Sequence, residues 1–197
     1  MSVVVGNVGR MATIYNTATT LDGFLATPDN SLDWLFEVPG SAEAEESIPD
    51  FLATIGAMAM GSTTYEWVFG HESLAEHPER WTEWYAERPA WVFTHRELPV
   101  VPGANIHFTQ APVAEVHAEM VAAAGGRDIW IMGGGDLVGQ FADAGLLDRV
   151  VATVAPVTLG QGAPLLPRVL RSDRLTLVSV ERRGQFAELT YDVGSPA

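Results

Sequence analysis

The sequence predicts an α/β domain built on a mixed, mostly parallel sheet, and three observations carry that prediction. Apolar runs of strand length alternate with segments of helical spacing, the pattern that repeated β–α–β connections produce. The stretch DIWIMGGGDLVGQF, residues 128–141, compresses one such unit into a single line. Ile129 to Met132 form a short apolar run, Gly133, Gly134 and Gly135 interrupt it, and Asp136 opens a segment with Leu137, Val138, Phe141 and Ala142 at helical spacing. Finally, Leu175 to Val180 and Gln185 to Tyr191 alternate around Arg183-Gly184 as a terminal hairpin, so the sheet ends antiparallel.

Composition bounds what such a domain does. At 197 residues and 47% hydrophobic, the chain is long enough for one domain with a sizeable core. Its formal charge of −14 opposes nucleic acid and anionic membranes, both of which reward clustered cations. Any phosphate ligand must therefore be held by backbone N–H groups and a few local cations. Cysteine is absent, which removes disulfides, thiolate catalysis and thiolate metal sites and fits a cytoplasmic protein. No apolar run approaches the roughly 20 residues of a membrane helix. The opening MSVVVGNVGR lacks the basic cluster and the length of a secretory signal. Residues 1–11 read as an extension, with Met11 as an alternative start, and residues 12–194 as a single domain.

Taken in order, residues 12–18 (ATIYNTA) read as a first strand, and Leu21-Asp22-Gly23 turns out of it. Ser31 to Phe36 reads either as a short helical turn that buries Trp34 or as a loop lying over a ligand. The acidic segment 39–48, with Ser41 or Ser47 as a cap, begins a helix that continues through Phe51 to Ile55. Ala57 to Met60 is a buried strand ending at Gly61, and Ser62, Thr63 and Thr64 suit the helix start that follows. They serve there either as caps or as an anion cradle. Trp81, Trp84 and Tyr85 form an aromatic stripe at helical spacing. His71 and His77 lack convergent partners, so no metal site is expected.

Ala90 to Thr94 is the next strand, and His95-Arg96 just past its end is placed either for a nucleotide 2′-phosphate or simply as surface charge. Ile106 to Phe108 is a further strand. Pro112 to Ala124 is an Ala-rich helix closed by Gly125-Gly126, with His117 in a structural position. The three-glycine stretch then offers backbone N–H groups to a phosphate, although tight packing of a short turn would also use glycines. It is not a Rossmann fingerprint, because Val138 stands where a third Gly or Ala belongs and Gly139 comes one place later. Leu147 to Val157 reads as a long apolar strand, and residues 158–167 as a loop.

Five pieces in this order, TTLDGFLA, MGSTTYE, VFTHRE, IWIMGGGDLVGQF and VAPVTLGQGAPLLP, resemble the dihydrofolate reductase superfamily. The subgroup is that of reductase domains related to the C-terminal domain of the bifunctional riboflavin deaminase-reductase. The resemblance spans residues 12–192. It implies a three-layer dihydrofolate reductase-like fold, with a mixed, mostly parallel central sheet of about eight strands, an antiparallel C-terminal hairpin and helices on both faces. It also implies hydride transfer from NADPH, with FMN the second choice of cofactor, to a pterin-like or other small heterocycle, and a homodimer.

Carried onto this chain, the resemblance places the nicotinamide carboxamide at Ala18 and Leu25. The phosphates fall to Gly61, Ser62, Thr63 and Thr64 and to the run Met132, Gly133, Gly134, Gly135, Asp136, Leu137 and Val138. Gly133-Gly134 would carry a cis peptide. Thr94, His95 and Arg96 would meet the 2′-phosphate, Trp34 would close over the nicotinamide, and Thr153 would stand near the substrate. Two departures matter. Ser62 replaces a cofactor-binding Arg of dihydrofolate reductases, which leaves Arg96 as the cation for the 2′-phosphate. Phe24 replaces a basic residue suited to a ribosyl phosphate, which argues against the riboflavin intermediate as substrate. Pterin reduction also needs an acid; Glu45 or Glu46 lies nearest by register, followed by Asp50, with Asp33 beside Trp34 as another candidate. The competing reading is a nucleotide- or flavin-binding dimeric protein of the same fold without turnover.

Overall fold

A computed structural model of the chain describes residues 11–42 and 46–195. Its centre is β1 (Thr13–Thr20), paired in parallel with β6 (Asp128–Gly133) on one side and β7 (Arg149–Ala155) on the other. Beyond β6 lie β3 (Ile55–Gly61), β4 (Ala90–Phe93) and β5 (Ile106–Thr109), all parallel. Beyond β7 the direction reverses: β10 (Phe186–Val193) is antiparallel to β7, and β9 (Leu175–Arg183) closes the edge as its hairpin partner. The result is an eight-stranded sheet in the order β5-β4-β3-β6-β1-β7-β10-β9. A separate ribbon pairs β2 (Phe24–Ala26) with β8 (Ala163–Pro164).

Strand alternation divides the core into two faces. Ala57, Ala59, Trp91, Ile129 and Ile131 point to the side covered by α5 (Val113–Ala123) and α6 (Gly135–Asp143), where they meet Val116, Met120, Val138 and Phe141. Met58, Met60, Ala90 and Val92 point to the other side, against Tyr65 and Val68 of α3 (Ser62–His71) and Trp81 of α4 (Glu79–Tyr85). A strand buried on both faces reads as a continuous apolar run, as IGAMAM does here. Helices on both faces of a mostly parallel sheet with an antiparallel end are the architecture that the sequence predicts. None of the helices among the described residues is long and apolar enough to cross a membrane.

Boundaries moved where backbone chemistry decided them. The helix before β3, α2 (Ile48–Thr54), stops short of Ile55, which instead starts the strand as a fully buried residue. β7 ends at Ala155 because Pro156 cannot donate to the ladder, and Leu147 is a buried plug ahead of the strand. Trp81 and Tyr85 pack with ring centroids 4.8 Å apart, but Trp84 is 51% exposed and only its indole N–H is engaged, donating to Glu72 Oε2 at 3.3 Å. The loop 158–167 contains β8, and the apolar residues after the LDG turn form β2.

His117 is structural. Its Nε2 lies 2.8 Å from Oγ1 of the buried Thr13. Burial pushes its pKa below the ordinary histidine value, with Asp148 pulling weakly the other way. A base whose folded pKa is depressed binds fewer protons folded than unfolded. Stability is therefore fully present above the unfolded value of about 6.5 and is lost as pH falls from there toward the folded value. Thermal midpoints between pH 7.5 and pH 5 should fall more steeply for the wild type than for His117→Gln. Parallel curves would remove His117 from the acid limb.

Candidate functional site

The parallel strands β1, β3 and β6 end together, and the chain turns from two of them directly into helices. Met60 of β3 is in register with Gly133 of β6, so the turns into α3 and α6 stand side by side. A Cβ on Gly61 would lie 3.6 Å from the Gly134 nitrogen. Both helices are entered through glycine: Gly61 at φ −80°, ψ 165° and Gly134 at φ −77°, ψ 176° hold the cap positions, and no side chain caps either helix. Two sets of first-turn N–H groups therefore converge at the carboxyl ends of the strands, where open α/β sheets bind ligands. The hydroxyls of Ser62, Thr63 and Thr64 stand inside the first turn of α3, so the capping role does not apply to them. The Gly133–Gly134 peptide is cis, and Gly133 adopts φ +144°, a value side chains rarely take.

A cavity of about 360 Å³ opens onto these turns. Its floor is Thr17 and Ala18 of β1 with Met132 and Gly133 of β6, and its helical wall is Thr63, Thr64 and Trp67 of α3 with Gly134, Gly135 and Asp136. The ribbon contributes Leu25, Ala26, Ala163 and Pro164, and Pro167 follows. The last side is the segment around α1 (Asp33–Phe36), with Asn30, Leu32, Trp34 and Leu35. Trp34 is 6% exposed, and its indole N–H has no partner among the described residues. Trp67, His71 and Phe36 stack nearly parallel at the α1–α3 junction, with Trp67 and His71 centroids 4.4 Å apart. His71 thus belongs to an aromatic stack.

The loop wall is pinned from below. Asp22 accepts from the backbone N–H groups of Leu159 and Gly160, the latter at 2.7 Å, and from the Thr20 hydroxyl at 2.5 Å. The Thr20 hydroxyl, then those N–H groups, hold the Asp22 carboxyl below its usual range. The Tyr15 hydroxyl donates to the Leu165 carbonyl at 3.0 Å. A Cβ on Gly162 would collide with the Ala26 carbonyl oxygen, and one on Gly135 with the carbonyl oxygens of Pro164 and Leu165, so this loop lies directly on the ribbon and on α6.

The cavity gathers ten of the sequence-derived candidates: Ala18, Leu25, Trp34, Thr63, Thr64, Met132, Gly133, Gly134, Gly135 and Asp136. Gly61 and Ser62 sit at the β3–α3 junction beside it. Leu137 and Val138 are core residues of α6. Thr153 is paired in register with Ala18, one strand away from the cavity floor. Thr94, His95 and Arg96 follow β4 outside the lining, and the Arg96 guanidinium donates to both carboxylate oxygens of Glu66 at 3.0 and 2.7 Å. The acid candidates are not brought together: Glu46, Asp50 and Asp33 are exposed and do not line the cavity, although Asp33 stands between the lining residues Leu32 and Trp34. Glu45 lies outside the described residues. Among the described residues Asp136 is the acid in the wall, held below its usual range by the Gln140 amide and then by Arg168.

Sequence reading missed Trp67, Thr17 and the ribbon residues Ala163 and Pro164. Trp67 had a signal, since it follows Thr63 and Thr64 at four and three residues and so shares their helix face. Ala163 and Pro164 lie in the piece VAPVTLGQGAPLLP, but nothing in it marks their pairing with β2, because the two strands meet only through tertiary contact.

Comparison with known proteins agrees with the fold. The profile of the RibD C-terminal domain matches residues 77–187. The chain is 30% identical over 179 residues to the uncharacterized protein YwjB of Bacillus subtilis (strain 168), covering 91% of this chain and 96% of that protein. Among solved structures, a candidate riboflavin biosynthesis protein from Shewanella sp. PV-4 superposes with a TM-score of 0.76 at 24% identity, covering 93% of this chain and 99% of that one. Dihydrofolate reductase from Enterococcus faecalis, complexed with NADP(H), superposes at 0.57 with 14% identity, covering 93% and 97%.

Proposed function

This chain belongs to the RibD C-terminal domain family, with a reductase-family fold of the dihydrofolate reductase type, and from that premise we propose that residues 12–194 act as an NADPH-dependent reductase of a small, uncharged heterocycle such as a pterin. The observation that carries this reading is the convergence of two uncapped helix entries on one cavity whose remaining walls are largely apolar and aromatic. The α6 entry fits a diphosphate, because a Cβ on Gly134 would meet no atom within 4 Å and would project into open space. When bound, the cofactor supplies a hydride from C4 of its nicotinamide. The chain's part is positioning and dehydration: main-chain groups of Ala18 and Leu25 orient the carboxamide, and the Trp34 and Trp67 walls exclude water. The chain contains no lysine, and no Arg or His stands among the described residues lining the cavity, which supports an unphosphorylated substrate. With Asp136 ion-paired and Glu46, Asp50 and Asp33 in solvent, the product takes its proton from water at the cavity mouth. Homodimerisation belongs to this reading, with the edge strand β9 and its exposed Leu177, Val178 and Val180 as the contact.

Thermal melting with saturating NADPH, NADH and FMN tests the cofactor. Ligand at about 100 times its dissociation constant stabilises by roughly 2.7 kcal/mol, a shift of roughly 5–10 °C for a domain of this size. A shift with NADPH is expected. A shift with FMN alone would redirect the chemistry to flavin, and no shift at all would sink the reductase. The lack of a free acid among the described residues of the cavity wall favours a second reading, nucleotide binding without turnover. Single-turnover oxidation of NADPH against a panel of neutral pterins and pyrimidines separates the two. Arg96→Ala should weaken NADPH about tenfold while leaving NADH nearly unchanged. Equal loss for both would remove Arg96 from the 2′-phosphate.

A further inference from the structure

Gly139, one place late for a dinucleotide fingerprint, has a different use. A Cβ there would lie 2.7 Å from Cζ of Arg168 and 2.8 Å from its Cγ and Nε. The arginine side chain lies across α6 over this glycine and is only 25% exposed. From there Nη2 donates to Asp136 Oδ1 at 3.0 Å, Nε donates to Asp143 Oδ2 at 2.7 Å, and Nη1 donates to the Pro167 carbonyl at 2.9 Å. One cation thus spans the first and last turns of α6. Of its two carboxylates, Asp136 stands in the cavity wall at the helix entry.

An aspartate in the first turn of a helix is favoured by the helix dipole, but it competes with any anion that would use the same N–H groups. On a chain of net charge −14 with no lysine, that competition has few remedies. We propose that Arg168 is a positioning residue for the cofactor diphosphate: it neutralises and draws aside Asp136, and Gly139 is the gap that lets it lie there. This rests on the NADPH reading. Arg168 acts through Asp136 and does not grip phosphate itself, which gives a distinctive pattern of rescue.

The test is the dissociation constant of NADPH, read by quenching of tryptophan fluorescence, for wild type, R168A, D136N and the D136N/R168A double variant. R168A should bind roughly tenfold more weakly, because like charges brought together are costly. D136N should bind as tightly as wild type or tighter, and the double variant should return to within about threefold of D136N. The R168A defect should shrink from 20 to 200 mM salt. Gly139→Ala, which pushes the guanidinium off the helix, should weaken binding about threefold in the same direction. An unaffected R168A would overturn the proposal. So would a double variant as weak as R168A, which would mean that Arg168 touches phosphate or merely holds the loop. Should R168A fail to fold, D136N decides alone: binding weaker than wild type would overturn the proposal, because the carboxylate would then be helping. A wild type that binds no NADPH would fail the cofactor reading itself, a result distinct from any of these.

Discussion

Gly134→Val should abolish NADPH binding and leave the fold intact. The backbone at this position, φ −77° and ψ 176°, is ordinary extended chain that valine adopts readily. A Cβ would meet no described protein atom within 4 Å, so the side chain would start into open space. The unliganded melting midpoint should stay within roughly 2 °C of wild type, as for a substitution that breaks no contact. The 5–10 °C shift with saturating NADPH should vanish, because the isopropyl group occupies the approach to the main-chain N–H groups. A variant that keeps both its midpoint and its ligand shift would reduce the glycine run to packing. Its neighbour makes the contrast sharp. At Gly135 a Cβ would collide with the carbonyls of Pro164 and Leu165, so that glycine is required by packing even with no ligand present.

The two uses of adjacent glycines explain why the sequence left phosphate binding and tight packing as alternatives. Tight packing holds at Gly135, phosphate binding is what we propose at Gly134, and what divides them is the loop 163–167 lying against α6. The same limit applies to charge. Arg96 is legible as a cation past a strand end, but its partner Glu66 lies on α3, thirty residues upstream, and only the adjacency of β3 and β4 brings them together. Asp136 was legible as a first-turn residue, whereas Arg168 could not be assigned to it without knowing that the chain crosses α6 at Gly139. The acid candidates failed to converge for a simpler reason. Glu46 and Asp50 lie on an exposed polar segment, Asp33 is exposed on a segment whose Leu32 and Trp34 line the cavity, and register along a sequence does not say which side of a helix faces a cavity.

The fold was far more legible than the site. The period-2 geometry of the strands β3, β4 and β6 sorts residues onto two faces without any knowledge of partners, and the turn at Gly184 announces the antiparallel end. β2 and β8 are too short for periodicity to register, and they are set by the contact of Gly162 with Ala26. No sequence signal marked Gly56 either, since a glycine in a buried apolar run resembles any small residue.

Gly56 should nevertheless be among the most destabilising glycines to replace. Gly56→Ala is expected to cost about 3 kcal/mol or more and to lower the melting midpoint by roughly 6–12 °C. The position is buried in β3, at the point where its ladder with β6 slips register, and a Cβ there would collide with the carbonyl oxygen of Ala124 at the end of α5. That carbonyl has little room to yield. It already accepts the Arg127 N–H at 3.2 Å, in a turn fixed by Gly125 and Gly126 at φ +62° and +81°. Relief therefore requires moving the helix end away from the sheet, which loosens the packing of Met120 and Val116 against Ala57 and Ile129. The cavity lies at the other end of β3, roughly 16 Å along the strand. Below its midpoint the variant should bind NADPH as the wild type does, the inverse of Gly134→Val. Loss of binding in folded Gly56→Ala would mean that strain at one end of β3 reaches the helix entry at the other. A midpoint within 2 °C of wild type would mean that the end of α5 is free to move.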